Sequence, residues 1–246
     1  MRRGSRPRPS SEPGVKVDAR SERWREHRKK VRAEIVDAAF RAIDRLGPNV
    51  SVREIAEEAG TAKPKIYRHF TDKSDMFGEI GQRMRDMLWA AIIPSIDVEH
   101  DSARRIVGRG VAHYVDLVEQ HPNVVRFLLQ GRFADKSAAA MTTVNRGSEI
   151  TLAVADMISE ELKDLAPNPA AFELAAYAIF GTAASATDWW LGDDEDGARR
   201  MPADQFIAHM TTIMVGAING TAELLGIQID PDQPIHTAVR KQQPVA

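Results

Sequence analysis

Pro64 is the residue that most limits what this chain can fold into. It stands in the stretch GTAKPKIYRHFTDK, residues 60–73, among donors and apolar residues at helical spacing. Proline lacks a backbone N–H and has a fixed φ, so a helix accepts it only in its first turn. A short helix is therefore predicted from about Lys63. Ile66 and Phe70, four residues apart, share one face and point to a core, which leaves Lys63, Lys65, Tyr67 and His69 to point elsewhere.

The residues before this stretch supply the core. Val31, Ile35, Ala38, Ala39, Ile43 and Leu46 recur every three or four residues from Ser21 onward, and Gly47-Pro48 closes that helix. A second helix follows with its own start signal. Ser51 and Glu54 form a capping box, Val50 and Ile55 a hydrophobic staple, and Gly60 is the turn residue. Three helices, the last short and basic at its exposed amino end, are the elements of a helix-turn-helix, whose recognition helix enters the major groove. Lys63 and Lys65 can meet phosphates or guanine acceptors, Tyr67 can donate its hydroxyl to phosphate, and Pro64 can pack on a thymine methyl.

Charge distribution agrees. Residues 1–73 hold 19 Lys and Arg against 11 Asp and Glu, whereas the remainder holds 14 against 24. The basic front suits a polyanion, and the acidic remainder would be repelled by it, which orients the approach. Residues 1–20 are rich in Arg, Pro, Ser and Gly and are expected to be a disordered basic arm. Arg23, Arg25, Arg28, Lys29, Lys30 and Arg32 read as an auxiliary electrostatic element that follows phosphates or enters the minor groove.

The run from Ile55 through Gly60, followed by Lys63-Pro64-Lys65-Ile66-Tyr67-Arg68-His69-Phe70 and Lys73, resembles the amino-terminal domain of the TetR family of bacterial transcriptional regulators. The resemblance covers about residues 28–80. It implies an all-α fold: a three-helix DNA-binding domain (residues 21–73) followed by a larger helical ligand-binding and dimerisation domain (74–227). It places Lys63, Pro64, Lys65, Tyr67, His69 and Lys73 at the DNA, with Arg53 on the preceding helix. Ala62 stands where relatives often carry a capping Ser or Thr, so the recognition helix is expected to be loosely formed until DNA binds. Lys65 stands where a small hydroxyl residue is common, so an operator cannot be transferred from relatives.

Beyond Lys73 the pattern is helical throughout: Met76 to about Ile93, Ala103–Gln120, about Asn123 to Phe133, Asp135 to about Leu165, Ala170–Leu191 and Ala203 to about Leu225. The helix from Ala170 is apolar nearly all round and needs a second surface against it. On the last helix, Gly216 and Gly220 form a strip beside the apolar face. Each glycine costs about 1 kcal/mol relative to alanine, so close approach of another backbone is expected there. The resemblance implies that these two helices pair with their twins in a homodimer. It also implies an effector cavity, for which composition offers Tyr114, Phe127, Met141, Met157, Tyr177, Phe180 and Trp189 as walls. Residues 228–246 are expected to be a flexible tail.

Catalysis has little support. The chain has no cysteine, no Gly-x-Ser-x-Gly and no phosphate-cradling glycine loop. Glu99-His100-Asp101 and the acidic run 193–196 are weak metal candidates, so neither a metal nor a cofactor is expected. No segment approaches the ~20 apolar residues of a bilayer span, and a cytoplasmic location follows. The predicted partners are a double-stranded DNA operator, a second copy of the chain and an unidentified small apolar effector, with no membrane. The function expected is repression relieved by that effector. An activator of the same fold, or a non-regulatory helical interaction module, are the alternatives.

Overall fold

The computed structural model describes residues 19–134, 169–192 and 199–241. Met141 and Met157, the helix expected from Asp135, the acidic run and the arm up to residue 18 lie outside the described residues. Within them the chain is helical except for one pair of short strands.

Helix α1 (Ala19–Leu46) ends where expected: Gly47 adopts a φ of 93°, which only glycine takes without strain, and its N–H reaches the Ile43 carbonyl at 2.8 Å. Helix α2 (Val52–Glu58) carries the full capping box, with the Ser51 N–H donating to Glu54 at 2.7 Å. Arg41 and Arg45 of α1 both reach the Glu58 carboxylate, at 3.0 and 2.9 Å, and tie α2 alongside. Helix α3 (Lys63–Ile66) is a single turn, with Ala62 in the cap position and no side-chain cap. Helix α4 (Lys73–Ile92) is capped by Asp72, which accepts from the Asp75 N–H at 2.8 Å, and it gives way to a 3-10 turn containing Pro94.

The larger unit comprises α5 (Ala103–Gln120), α6 (Pro122–Ala134), α7 (Pro169–Leu191) and α8 (Ala203–Leu224). Ile35, Ala39, Ile43, Ile55, Ile66 and Ile80 of the first four helices, with Phe70 from the turn between α3 and α4, are buried in one apolar cluster. That cluster continues without a break through Val115, Val118, Val124, Phe127, Trp190, Phe206 and Met210. Trp190 and Phe206 stack at 4.6 Å. At the junction, His121 Nδ1 lies 2.7 Å from the Asp44 carboxylate, and the Asn123 amide donates to the Asp44 carbonyl at 2.9 Å.

Residues 227–241 correct the expectation of a flexible tail. Strands β1 (Ile227–Ile229) and β2 (Val239–Lys241) pair antiparallel, with a short helix α9 (Ile235–Ala238) between them. Ile227, Ile235 and Ala238 are buried. The segment also grips the start of α5: the Ile235 N–H donates to the Asp101 carbonyl at 3.2 Å, and Arg104 pairs with Asp232 at 2.7 Å. A polar composition concealed three well-spaced apolar anchors, and anchors together with backbone pairing order a strap that charge content alone would leave in solvent.

Candidate nucleic-acid interface

Burial of Ile66 and Phe70 fixes the roll of the recognition turn, so the residues between them face out. Lys63, Pro64, Lys65 and Arg68 are exposed, and Tyr67 keeps 41% of its surface open, with Lys63 Nζ 6.0 Å from its ring centre. Arg53 on α2 is exposed and loosely paired with Glu57 at 3.5 Å. Lys73 is exposed at the start of α4. Exposed basic side chains thus stand on α2, at α3 and at the first residue of α4. Arg68, exposed beside Tyr67, belongs with them and went unread in the sequence among its stronger neighbours.

His69 sits differently. It is half-buried, its Nδ1 has no protein partner, and burial, joined by the charges of Arg28, Lys65, Arg32 and His27, holds its pKa below the ordinary histidine value. At neutral pH the ring is an uncharged donor or acceptor, not a fixed cation.

Arg32 is a clamp rather than part of the electrostatic arm. Its guanidinium grips the Asp75 carboxylate with both Nη atoms, at 2.8 and 3.2 Å, reaches Glu79 at 2.7 Å, donates to the His69 backbone carbonyl, and lies 4.4 Å over the Phe70 ring. The hydrogen bonds from Arg32 hold the Asp75 carboxyl below the usual carboxylate range. Arg32 stands three residues before Ile35 and four before Val36, on the edge of the buried stripe, and that spacing is the signal by which sequence could have found it. The consequence is mechanical: an uncapped one-turn α3 is held by a side chain from α1 that also fastens the start of α4.

Among the aromatic residues offered as effector-cavity walls, Phe127 is buried 5.3 Å from Phe77, and Tyr114 is half-buried, donating its hydroxyl to Thr187 Oγ1 at 2.7 Å. Tyr177 and Phe180 are half-buried on α7. Trp189 does not join them. It is 47% exposed, with the Arg200 guanidinium 5.7 Å from its ring, while its neighbour Trp190 fills the core. Successive helical residues diverge by about 100°, so only one of the pair can face inward. Gly216 and Gly220 are exposed, and a Cβ built on either meets nothing within 4 Å.

The weak metal candidates have other occupations. Asp101 is buried against Arg105 and Arg109, and His100 pairs with Asp97 at 3.0 Å. Among the described residues no cluster of three or more His, Asp or Glu could hold a metal ion, and no helix is long and apolar enough to cross a membrane.

Known proteins share this arrangement. Residues 35–80 match the pattern defining "Bacterial regulatory proteins, tetR family". An uncharacterised HTH-type transcriptional regulator of Mycobacterium tuberculosis H37Rv is 30% identical over 215 residues, covering 86% of this chain and 87% of that protein. The same figures hold for one from strain CDC 1551 / Oshkosh. The chain belongs to the TetR family. It is a DNA-binding transcriptional regulator and not an enzyme. Its fold is that of solved TetR-family structures. A regulator from Streptomyces coelicolor superposes with a TM-score of 0.61 at 23% identity, over 80% of this chain and 86% of its own. RolR, solved in complex with resorcinol, does so at 0.56 and 17%, over 80% and 96%.

Proposed function

We propose that this TetR-family protein is a repressor that binds a palindromic operator as a homodimer and leaves it when a small apolar molecule enters the larger helical unit. In this reading residues 21–73 read DNA in the cytoplasm, and residues 74–227 sense and pair. The observation that carries the reading is the exposed basic surface of Arg53, Lys63, Lys65, Tyr67 and Lys73, held by a buried apolar face behind it. Pairing is favoured by the outer faces of α7 and α8. Leu174, Trp189, Ile213 and Leu224 are exposed there beside the open strip of Gly216 and Gly220, more apolar surface than a solitary helix pair leaves in water. Two-fold symmetry would set two α3 helices about 34 to 36 Å apart, one turn of B-DNA.

The sensing site falls between α5, α6 and α7, where Tyr114, Phe127, Tyr177 and Phe180 offer aromatic surface and the Tyr114–Thr187 pair offers a polar anchor. A small aromatic molecule, resorcinol, occupies RolR, which has the same fold. Bound effector acts only through its unequal affinity for the DNA-competent and released states.

The test is operator selection from random duplexes, followed by titration against selected and random DNA at several salt concentrations. Lys65→Ala should weaken selected DNA more than random DNA. Lys73→Ala should weaken both alike and flatten the salt slope by about one unit per subunit. Equal losses on the two DNAs for Lys65→Ala would show that it reads only phosphate. Absence of salt-sensitive binding by the wild-type protein would overturn the reading itself.

A further inference from the structure

The core-facing stripe of α1 does not stop where the core stops. Trp24, Arg28, Val31 and Ile35 recur at intervals of four, three and four and share one helix face, with His27 beside them. Ile35 is buried and Val31 partly so, but residues 22–30 are exposed throughout. About 13 Å of helix at 1.5 Å per residue therefore projects beyond the packed unit with an ordered face that the described residues leave exposed.

Arg32 shows where that face points. Its guanidinium bonds the His69 carbonyl and covers Phe70, so α1 passes beside the turn that joins α3 to α4 at this point. Arg28 lies one turn farther out along the same side, with its guanidinium 5.6 Å from the centre of the Trp24 ring. The charges of Arg28, Lys65, Arg32 and His27 all act on His69, after burial, to hold its pKa down. On the neighbouring flank Lys29 is already paired, with Glu26 at 3.2 Å. Arg32 is already compensated by Asp75 and Glu79, whereas Arg28 and Lys65 have no carboxylate partner among the described residues, and an arriving polyanion would supply one.

We propose that the projecting turns of α1 are a second DNA-contacting element, in which Trp24, His27 and Arg28 meet the sugar-phosphate backbone just outside the half-site read by α3. Arg28 supplies charge to a phosphate, His27 donates to one, and Trp24 packs its ring on the adjoining sugars while holding the Arg28 guanidinium flat. Lys29, about 100° round the helix from Arg28 and already paired with Glu26, stays in solvent. This rests on the DNA-binding reading above and refines it, because the contact belongs to one helix face rather than to a diffuse basic run.

The experiment uses the full-length protein and a duplex recovered by selection, in two lengths: one trimmed to the operator and one with about ten flanking base pairs on each side. Wild-type protein is measured first, and no salt-sensitive binding there would count against the regulator reading as a whole. Given wild-type binding, Arg28→Ala should weaken the long duplex by about fivefold to tenfold per subunit at 0.1 M salt and flatten its salt slope by about one unit per subunit. Lys29→Ala should leave both nearly unchanged, and the two variants should bind the trimmed duplex alike. Helical content and melting temperature should match wild type for both, because the substituted side chains are exposed. Trp24→Phe should remove a fluorescence change that the wild-type protein shows on binding the long duplex but not the short one. Equal slopes for Arg28→Ala and Lys29→Ala, or an Arg28→Ala defect that persists undiminished on the trimmed duplex, would overturn the proposal.

Discussion

Replacing Arg32 with alanine should destabilise the protein by about 3 kcal/mol without removing any contact to DNA. The side chain is 20% exposed and Asp75 26%, so their two-pronged pair is only partly screened. A charge-assisted bond of this kind contributes roughly 1.5 to 3 kcal/mol. The Glu79 bond, its partner 41% exposed, adds under about 1 kcal/mol, and the guanidinium over Phe70 adds about 0.5 to 1. These do not sum fully, because truncation lets Asp75 regain water while it keeps the Thr71 N–H at 2.9 Å. At about 2 to 4 °C per kcal/mol for a chain of this size, melting should fall by roughly 6 to 12 °C. Operator affinity should also fall, since α3 has no cap of its own, but the salt slope should hold because no phosphate contact is lost. The pH dependence has a defined sign. Asp75 is held below its unfolded value chiefly by Arg32, so its stabilisation is full above the unfolded carboxylate pKa, near 4, and is lost as pH falls through the folded value. The variant should lack most of that acid-side loss, keeping the part due to Thr71. A melting temperature within about 1 °C of wild type, together with a flattened salt slope, would refute the clamp and restore Arg32 to the electrostatic arm.

Three further outcomes are expected. Gly220→Leu should shift sedimentation toward monomer and reduce operator affinity disproportionately while helical content survives, because a Cβ built there meets nothing within 4 Å and the position is exposed; a full-strength dimer would move the contact onto α7. Ile235→Ala should lower stability by about 2 to 4 kcal/mol in urea denaturation, since Ile235 is 6% exposed, whereas a loose tail would leave the midpoint unmoved. Tyr114→Phe should cost about 1 kcal/mol by stranding the fully buried Thr187 hydroxyl, and a melt unchanged from wild type would mean that Thr187 finds another partner.

Local grammar made the front of the chain legible. Ser51 with Glu54, Gly47, and Pro64 at a helix start each have one physical solution, and each takes it here. The basic surface followed from helix phase, because Ile66 and Phe70 can face only the core. Phase failed where apolar residues surround a helix: nothing in the neighbourhood of Trp189 and Trp190 says which ring turns inward until Phe206 stacks on one of them. Arg32 was misread for a related reason. Its charge suggested solvent, but its role depends on Asp75 and Glu79, more than forty positions away. The strap was hidden because Ile227, Ile235 and Ala238 are few among polar residues, and their worth depends on the groove they meet.

Among the described residues, the unbroken apolar cluster from Ile35 to Met210 leaves no hinge of solvent-exposed chain between the helix-turn-helix and the larger helical unit. Heat or denaturant should therefore melt both in one cooperative transition, and a fragment cut after α3 would expose apolar surface rather than fold as a free-standing reader. For genetics the consequence is that mutants blind to the operator need not map near it. A cavity opened at Val115 or Phe206 drains the same shared stability as one at Phe70, so loss-of-binding alleles should scatter across the whole cluster, and those far from DNA should regain function at lower temperature.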